Sequence, residues 1–224
     1  MSNTKIAHIE NDFPTKFALP RQSLLSRSLL SRIVFEPEYR NPDALRGLEG
    51  FSHLWIIWEF SSFKGREWSP TVRPPRLGGN VRMGVFATRS PNRPNPLGLT
   101  CVRLEKIVDD PIEGPVLIVS GADMMSGTPI FDIKPYIREA DCHIDATDGF
   151  VGEKPRQTLD VTMSPERREE LLSELSQRQF DTLLEVLSQD PRPSYHDDPE
   201  RIYGFEYASL ELHFRVRENC LEIL

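Results

Sequence analysis

The spacing of apolar residues divides the chain into two regions, of which the first predicts short strands separated by Pro- and Gly-containing turns. The aromatic and β-branched run 51–60 (FSHLWIIWEF) predicts a central strand, and 116–119 (VLIV) predicts a buried one. We predict further strands at 81–88 and 99–107. Because no long amphipathic helix occurs before about residue 140, this pattern favours a barrel or closed sheet over alternating βαβ units.

The second region has helical periodicity. Segment 139–155, which is acidic and contains glycine, predicts a linker. Ser164-Pro165-Glu166 predicts a helix start, with Ser as N-cap and Pro in the first turn. Two apolar stripes then predict core-facing helices: Leu171, Leu172 and Leu175, followed by Phe180, Leu183, Leu184 and Leu187. Alternation over 210–216 predicts a half-buried strand. The overall prediction is a mainly β protein, with a first domain at 1–140 and a small α+β domain at 156–224.

Composition indicates a soluble globular protein, since 38% hydrophobic and 27% charged residues exclude a disordered tail. No window approaches the roughly 18 consecutive apolar residues of a membrane span, and the N-terminus lacks an apolar signal core. The cysteines (Cys101, Cys142 and Cys220) are odd in number and far apart, which is typical of reduced thiols. We therefore expect a cytoplasmic protein with no membrane association.

Segment 68–104 is a basic island in an acidic chain. It contains no Asp, Glu or Lys, whereas the chain as a whole has a net charge of −7. Its six arginines are Arg73, Arg76, Arg82, Arg89, Arg93 and Arg103. Arginine in preference to lysine favours forked recognition of phosphate or carboxylate. The island therefore predicts a site for a polyanionic substrate.

Common catalytic motifs are absent. The sequence has no GxxxxGK[ST], GxGxxG, HExxH or GxSxG, and its five histidines show no ligand spacing, so we expect no metal. His53, within the aromatic run, is expected to be a core histidine. The remaining possibility is a site made by loops between strands.

Several segments together resemble one family. The run VRPPRLGGNVRMGVFATRSPNRPNPLGLT (72–100) resembles the signature of the TsaA-like family, usually named TrmO, whose members are S-adenosylmethionine-dependent tRNA methyltransferases. Three segments match in order: PRQ (20–22), GLEGFSHLWIIWEF (47–60) and DMMSGTPIFDIKPY (123–136). QDPRPSY (189–195) is similar to a motif of the bacterial long form. The first strand and the C-terminal strands match loosely.

The resemblance implies a β-barrel methyltransferase domain, a homodimer and methylation of N6 of threonylcarbamoyl-adenosine at position 37 in a tRNA anticodon arm. Methyl transfer from a sulfonium is an in-line displacement that depends mainly on positioning and needs no metal. N6 is a poor nucleophile that must lose a proton, so a hydrogen-bond acceptor or base would assist. Two alternatives are a non-catalytic module that binds S-adenosylmethionine or RNA, and a methyltransferase for another anionic small molecule.

The family pattern assigns roles to individual residues. Candidates for contact with S-adenosylmethionine are Pro20, Arg21, Gln22, Ser61, Ser62, Arg89, Leu99, Ser120, Gly121, Ala122 and Asp123. One catalytic candidate is Asn95, whose alternative role is to shape a turn. The others are Asp132, Lys134 and Tyr136, which occupy every second position of an extended segment and so share one face. Their alternative role is a buried ion pair beside a tyrosine. Candidates for the substrate are Arg93 and also Arg73, Arg76 and Arg82, the last three for tRNA phosphates or a dimer partner.

Overall fold

The computed structural model describes residues 4–152, 158–192 and 198–224, and leaves the Arg76 side chain undescribed. The end of the predicted linker, the predicted domain start at 156 and Pro193–Tyr195 of the QDPRPSY segment lie outside the described residues.

Twelve strands lie in the described ranges: β1 (Ala7–Glu10), β2 (Leu30–Phe35), β3 (His53–Glu59), β4 (Thr71–Val72), β5 (Met83–Gly84), β6 (Leu97–Asp110), β7 (Gly114–Ser120), β8 (Pro129–Pro135), β9 (Asp160–Thr162), β10 (Tyr203–Tyr207), β11 (Leu210–Arg217) and β12 (Cys220–Ile223). The α-helices there are α1 (Arg138–Asp141), α2 (Pro165–Glu174) and α3 (Gln177–Leu187). Short 3-10 turns occur at Pro37–Tyr39, Pro42–Leu45, Leu48–Gly50, Ser61–Phe63, Pro75–Leu77, Val85–Ala87 and Gly149–Val151.

Six strands form a closed barrel in the order β1-β2-β7-β6-β3-β8, with every neighbouring pair antiparallel. Pairing of Ala7 with Ile130 closes the circuit between β1 and β8. Along β3, Leu54, Ile56 and Trp58 are buried inside, so the residues between them face outward. The predicted mainly β architecture is confirmed, as are strands at 51–60, 99–107 and 116–119.

Two expectations for the first region are wrong. Only Met83 and Gly84 of the predicted strand 81–88 pair with a neighbour, and the chain then enters the 3-10 turn Val85–Ala87. One apolar residue of this stretch anchors a loop, since Val85 is buried and its N–H donates to Pro70 O at 3.0 Å. His53 lies on the outer face of β3 because its neighbour Leu54 occupies the core, and His53 Nδ1 lies 2.9 Å from Ser52 Oγ.

The C-terminal residues form a four-stranded sheet, β10-β11-β12-β9, whose last pair is parallel. Both predicted helices are confirmed, and so is the strand over 210–216. Ser164 caps α2 by accepting a hydrogen bond from Arg167 N at 3.1 Å, and Ser176 forms a capping box with Gln179 at the start of α3. The stripe residues packed into this core are Leu171, Leu172, Leu175, Phe180, Leu183, Leu184 and Leu187.

The two hydrophobic cores do not divide at the predicted domain boundary. Phe13, Ala18 and Leu29 belong to the C-terminal core although they precede most of the barrel. The rings of Phe13 and Tyr207 lie 4.8 Å apart. The irregular segment between β1 and β2 therefore packs against the C-terminal residues, while the strands on either side of it belong to the barrel.

In the described residues, no helix is long and apolar enough to cross a membrane.

Candidate functional site

The site lies where the ends of several barrel strands meet the segment that follows β1. Phe60 N donates to Pro96 O at 2.8 Å, which brings the end of β3 beside the RPNP loop (93–96). Ser61 and Ser62 follow in an exposed 3-10 turn, and Asn95 is exposed in the loop. Two segments that the family pattern singles out are therefore neighbours in space.

A tight backbone crossing joins Gly121 to the segment after β1. Leu24 N donates to Gly121 O at 2.8 Å, and Gly121 N donates to Leu29 O at 3.2 Å. Gly121 has a φ of 79°, and a Cβ there would lie 2.7 Å from Leu24 Cδ2. Glycine is therefore required by both conformation and space. The crossing places the PRQ segment (20–22) next to the end of β7.

A chain of hydrogen bonds runs from the barrel interior to Asp123. Trp58 Nε1 donates to Thr100 Oγ1 at 2.8 Å, and Thr100 Oγ1 donates to Asp123 Oδ1 at 2.7 Å. The Ser23 amide also faces this carboxylate, and the positive charge of Arg89 acts on it from a greater distance. Burial raises the pKa of Asp123 above its ordinary value, and the hydrogen bond from Thr100, the charge of Arg89 and the Ser23 amide oppose that rise.

Close packing around Trp58 holds this series of hydrogen bonds in place. Gly98 lies directly opposite Trp58 across the β3–β6 pair, and the indole ring covers it. A Cβ at residue 98 would lie 2.1 Å from Trp58 Cε2, closer than any real contact. The absence of a side chain at Gly98 therefore lets the indole lie flat and reach Thr100.

A partly desolvated carboxylate, together with an arginine whose charge reaches it, can bind a zwitterion. Asp123 can accept hydrogen bonds from hydroxyl or ammonium groups, and Arg89 can bind a carboxylate through its forked donors. Gly121 and Ala122 add backbone groups at the same turn, and Ala122 is buried.

Three of the four catalytic candidates, and the cofactor candidate Leu99, do not come together with Asp123. Asp132 pairs with Ile57 and Lys134 with Trp55 across the β3–β8 pair, so both lie on the outer face of the barrel. Lys134 Nζ lies 2.8 Å from Asp132 Oδ2, in an exposed ion pair and not a buried one. Tyr136 continues this face, and burial raises its pKa, so its hydroxyl stays protonated. Leu99, opposite Ile57, is 59% exposed there, whereas its neighbour Thr100 faces inward.

Several predicted contact residues are engaged elsewhere. Arg21 Nη2 donates to Asp190 O at 3.0 Å and to Arg192 O at 2.6 Å, which turns it toward the C-terminal domain. Ser120 Oγ donates to Glu105 Oε1 at 2.5 Å. Pro20 is buried and Gln22 is half-buried in the same segment as Arg21.

The arginine-rich loops contain both hydrogen-bonded and exposed arginines. Arg93 Nη1 lies 3.4 Å from both Thr88 O and Ser90 O, so it braces its own loop. Arg82 Nη1 donates to Thr71 Oγ1 at 3.0 Å across the β4–β5 pair. Arg73 is exposed, and the side chain of Arg76 lies outside the described structure.

Among the described residues, no group of three or more His, Cys, Asp or Glu side chains is arranged to hold a metal ion. A cavity of about 140 Å³ lies between α2 and β11, and none of the residues discussed above for the site lines it. Because it lies away from the Asp123 cluster, we do not place the site there.

Two family models and several known proteins match this sequence, and they point to the same family. A model of the tRNA-methyltransferase O N-terminal domain matches residues 8–142, and a model of the TrmO C-terminal domain matches 156–224. The chain belongs to the TrmO family. It is 41% identical over 224 residues to the tRNA (adenine(37)-N6)-methyltransferase of Escherichia coli, which covers 98% of this chain and 94% of that protein.

Two matches to Pseudomonas aeruginosa proteins also span the chain. One, 38% identical over 228 residues, bears the name "Putative S-adenosylmethionine-dependent methyltransferase RcsF", and the match covers 100% of this chain and 96% of that protein. The other is a crystal structure of TrmO with a TM-score of 0.79 and 34% identity, covering 100% of this chain and 95% of that one. The TrmO fold therefore extends over the C-terminal residues, where the sequence motifs match loosely.

Sequence reasoning missed three participants in the site of this TrmO family member: Ser23, Trp58 and Thr100. Trp58 and Thr100 lie in the segments 47–60 and 72–100 that carry the resemblance, but each has the residue type of an ordinary strand core. Alternation along β6 does place Thr100 on the same face as Gly98. Ser23 acts through its backbone amide, for which a sequence contains no signal.

Gly98→Ala should lower the free energy of unfolding by about 2 kcal/mol, because the new methyl group displaces the Trp58 indole. Urea denaturation measures this change. Gly84→Ala is the matched control, since Gly84 has a φ of −58° and no atom within 4 Å of a Cβ. The control should change stability by less than about 0.5 kcal/mol. Equal effects of the two substitutions would contradict the packing argument.

Proposed function

We propose that this chain is an S-adenosylmethionine-dependent methyltransferase that modifies N6 of threonylcarbamoyl-adenosine at position 37 in the anticodon arm of tRNA. The observation that carries the proposal is the Asp123–Arg89 cluster, formed by the segments that resemble TrmO. Full-length similarity to a tRNA (adenine(37)-N6)-methyltransferase supports it. Because tRNA is the substrate, the proposed location is the cytoplasm.

The cofactor would lie across the turn 121–123. We assign ribose hydroxyls or the ammonium group to Asp123, and the carboxylate of the methionine part to Arg89. The backbone of Ser120, Gly121 and Ala122 and the segment 20–22 would line the same place, with Ser61 and Ser62 at its edge. When bound, the cofactor supplies an electrophilic methyl group, and the protein's part is to fix its orientation and exclude water.

The arginine-rich loops would bind the tRNA. Arg73 is exposed, Arg82 extends from the short β4–β5 sheet, and no acidic residue lies within 68–104 to compete for them. We assign Arg73, Arg76 and Arg82 to anticodon-arm phosphates. Arg93, braced at the base of the RPNP loop, would read the carboxylate of the threonylcarbamoyl group. An unpaired guanidinium in the complex would then penalise unmodified adenosine.

The acceptor nitrogen would meet Asn95, whose amide oxygen can accept the N6 proton's hydrogen bond. Asp132, Lys134 and Tyr136 lie on the outer barrel face with Leu99, so they would contribute only through a second subunit packed on that face. We therefore propose a homodimer. The exposed apolar side chains of Leu97 (36%) and Leu99 (59%) on this face support it.

We propose a division of labour between two domains. The barrel domain, 1–140, would bind the cofactor, and the C-terminal domain, 156–224, would help to dock the tRNA. The two family models, which end and begin near these limits, support the division.

The decisive experiment compares a cognate tRNA transcript before and after enzymatic threonylcarbamoylation, with nucleosides analysed by mass spectrometry. Only the modified transcript should gain a methyl group, because the site is built around its carboxylate. Raising the salt concentration should weaken binding of both transcripts alike through their phosphates. Cofactor binding without turnover on either transcript would favour a non-catalytic module. Equal rates on both would remove the carboxylate-reading role.

Cofactor affinity should decrease as the pH is lowered through the raised pKa of Asp123. The cofactor's donors select the ionised carboxylate, so binding is complete above that pKa and is lost below it. Because the pKa is raised, the loss begins at a higher pH than for an ordinary aspartate. Asp123→Asn should bind about tenfold more weakly at neutral pH and lack this pH dependence in calorimetric titrations. A variant with the wild-type pH profile would refute the assignment.

Leu99→Glu should convert a dimer to a monomer in sedimentation velocity, because it places a charge in the middle of the proposed interface. Ile112→Glu is the matched control, since Ile112 is 85% exposed in the turn between β6 and β7. The control should remain dimeric. A monomeric wild-type protein, or a dimeric Leu99→Glu variant, would rule out this interface.

A further inference from the structure

Residues 20–29, here called the strap, connect the C-terminal domain to the cofactor turn. They form the second half of the connection between β1 and β2, lead directly into β2, and contain no helix or strand. Side-chain hydrogen bonds attach one side of the strap to α3 and to the loop after it. Backbone hydrogen bonds attach the other side to the turn at 121–123.

Glu185 of α3 is the main attachment on the C-terminal side. Its Oε2 accepts hydrogen bonds from Ser26 Oγ at 2.8 Å, Ser28 Oγ at 2.7 Å and Ser28 N at 3.3 Å. Ser26 is fully buried, and Thr182 Oγ1 lies 2.9 Å from Ser28 Oγ. One carboxylate oxygen therefore orders two serines that are more than 150 residues away in sequence. Hydrogen bonds to an ionised acceptor are the stronger kind.

The loop after α3 adds two further attachments. Gln189 Nε2 donates to Leu25 O at 3.1 Å, and Arg21 donates to the carbonyl groups of Asp190 and Arg192. Arg192 in turn forms a forked pair with Asp190, with Nε–Oδ1 and Nη2–Oδ2 distances of 2.8 and 2.9 Å. The strap is thus fixed at both ends by the C-terminal domain.

On its barrel side the strap supplies the groups that define the cofactor turn. The Ser23 amide faces Asp123, and Leu24 covers Gly121. Leu24 adopts a φ of 61°, a left-handed conformation that is uncommon for a non-glycine residue. Such a conformation persists only where surrounding contacts enforce it. The attachments of Arg21 before Leu24, and of Leu25, Ser26 and Ser28 after it, enforce this conformation.

We propose that Glu185 is a positioning residue for S-adenosylmethionine. It acts through the strap by holding the Ser23 amide and Leu24 against the turn at 121–123, so the C-terminal domain sets the cofactor affinity of the barrel. The proposal rests on the proposed function, because it requires the cofactor to bind at that turn.

Glu185→Ala in the full-length protein should weaken S-adenosylmethionine binding about tenfold in isothermal titration calorimetry. Asp181→Ala is the matched control, because Asp181 is an exposed carboxylate on the same helix that accepts a hydrogen bond from Gln177 Nε2 at 2.8 Å. The control should bind as the wild type does. In methylation assays Glu185→Ala should raise KM for the cofactor and leave kcat nearly unchanged, since the strap aids ground-state and transition-state binding alike.

Two further measurements distinguish a positioning role of Glu185 from a general effect on stability: rescue of cofactor affinity by a conservative substitution, and the coupling between substitutions at Glu185 and Ser28. Glu185→Gln keeps an acceptor oxygen and should recover part of the lost affinity. Ser28→Ala should weaken binding in the wild type but add little in the Glu185→Ala background, because both changes remove the same contact. If Glu185→Ala does not fold, Glu185→Gln and Ser28→Ala, each with its thermal midpoint recorded, provide the same comparison. Normal cofactor affinity in both would overturn the proposal.

The controls separate two kinds of failure. If Asp123→Asn weakens cofactor binding but Glu185→Ala does not, the site remains and the positioning role of Glu185 is wrong. If the wild-type protein does not bind S-adenosylmethionine, the proposed function itself is wrong. Weakening by Glu185→Ala and Asp181→Ala to the same degree would also overturn the proposal, because it would indicate a general effect of charge on α3.

Discussion

The partly buried carboxylate of Asp123 is the constraint around which the site is organised. Removing a carboxylate from water is costly unless donors replace the lost hydration. Thr100 supplies one hydrogen bond at 2.7 Å, and the Ser23 amide and Arg89 supply further stabilisation from two other segments. Burial still raises the pKa of Asp123, so the donors offset the desolvation only in part. A ligand with its own hydrogen-bond donors would replace the part of the lost hydration of Asp123 that the protein does not replace.

This constraint explains features that otherwise look unrelated. Trp58 must lie flat to reach Thr100, which requires glycine at residue 98. Gly121 must allow Leu24 to approach, which requires a left-handed turn and no side chain. Both glycines, one in β6 and one at the end of the neighbouring strand β7, therefore serve the position of one carboxylate.

The sequence predicted the repeating elements well and the connections between them poorly. Periodicity located β3, β6, β7, α2 and α3, because an apolar face is a local property. It failed at 81–88, where Val85 anchors a loop, and it did not decide which face of β3 points inward, so His53 was misplaced. For the same reason the outward direction of Asp132 and Lys134 was not predicted. The contacts of the strap depend on residues more than 150 positions apart, which no local pattern encodes.

The packing of the strap also connects the two domains through direct contacts. The family models divide the chain near residue 142, yet Phe13, Ala18 and Leu29 lie in the C-terminal core. The barrel turn at 121–123 and helix α3 are therefore linked through one short segment. If Glu185 sets the position of that segment for the cofactor, thermodynamic reciprocity requires the bound cofactor to stabilise the same attachment of the C-terminal domain. A domain that docks tRNA would then be held most firmly when the methyl donor is in place, which orders the two binding events without any moving lid.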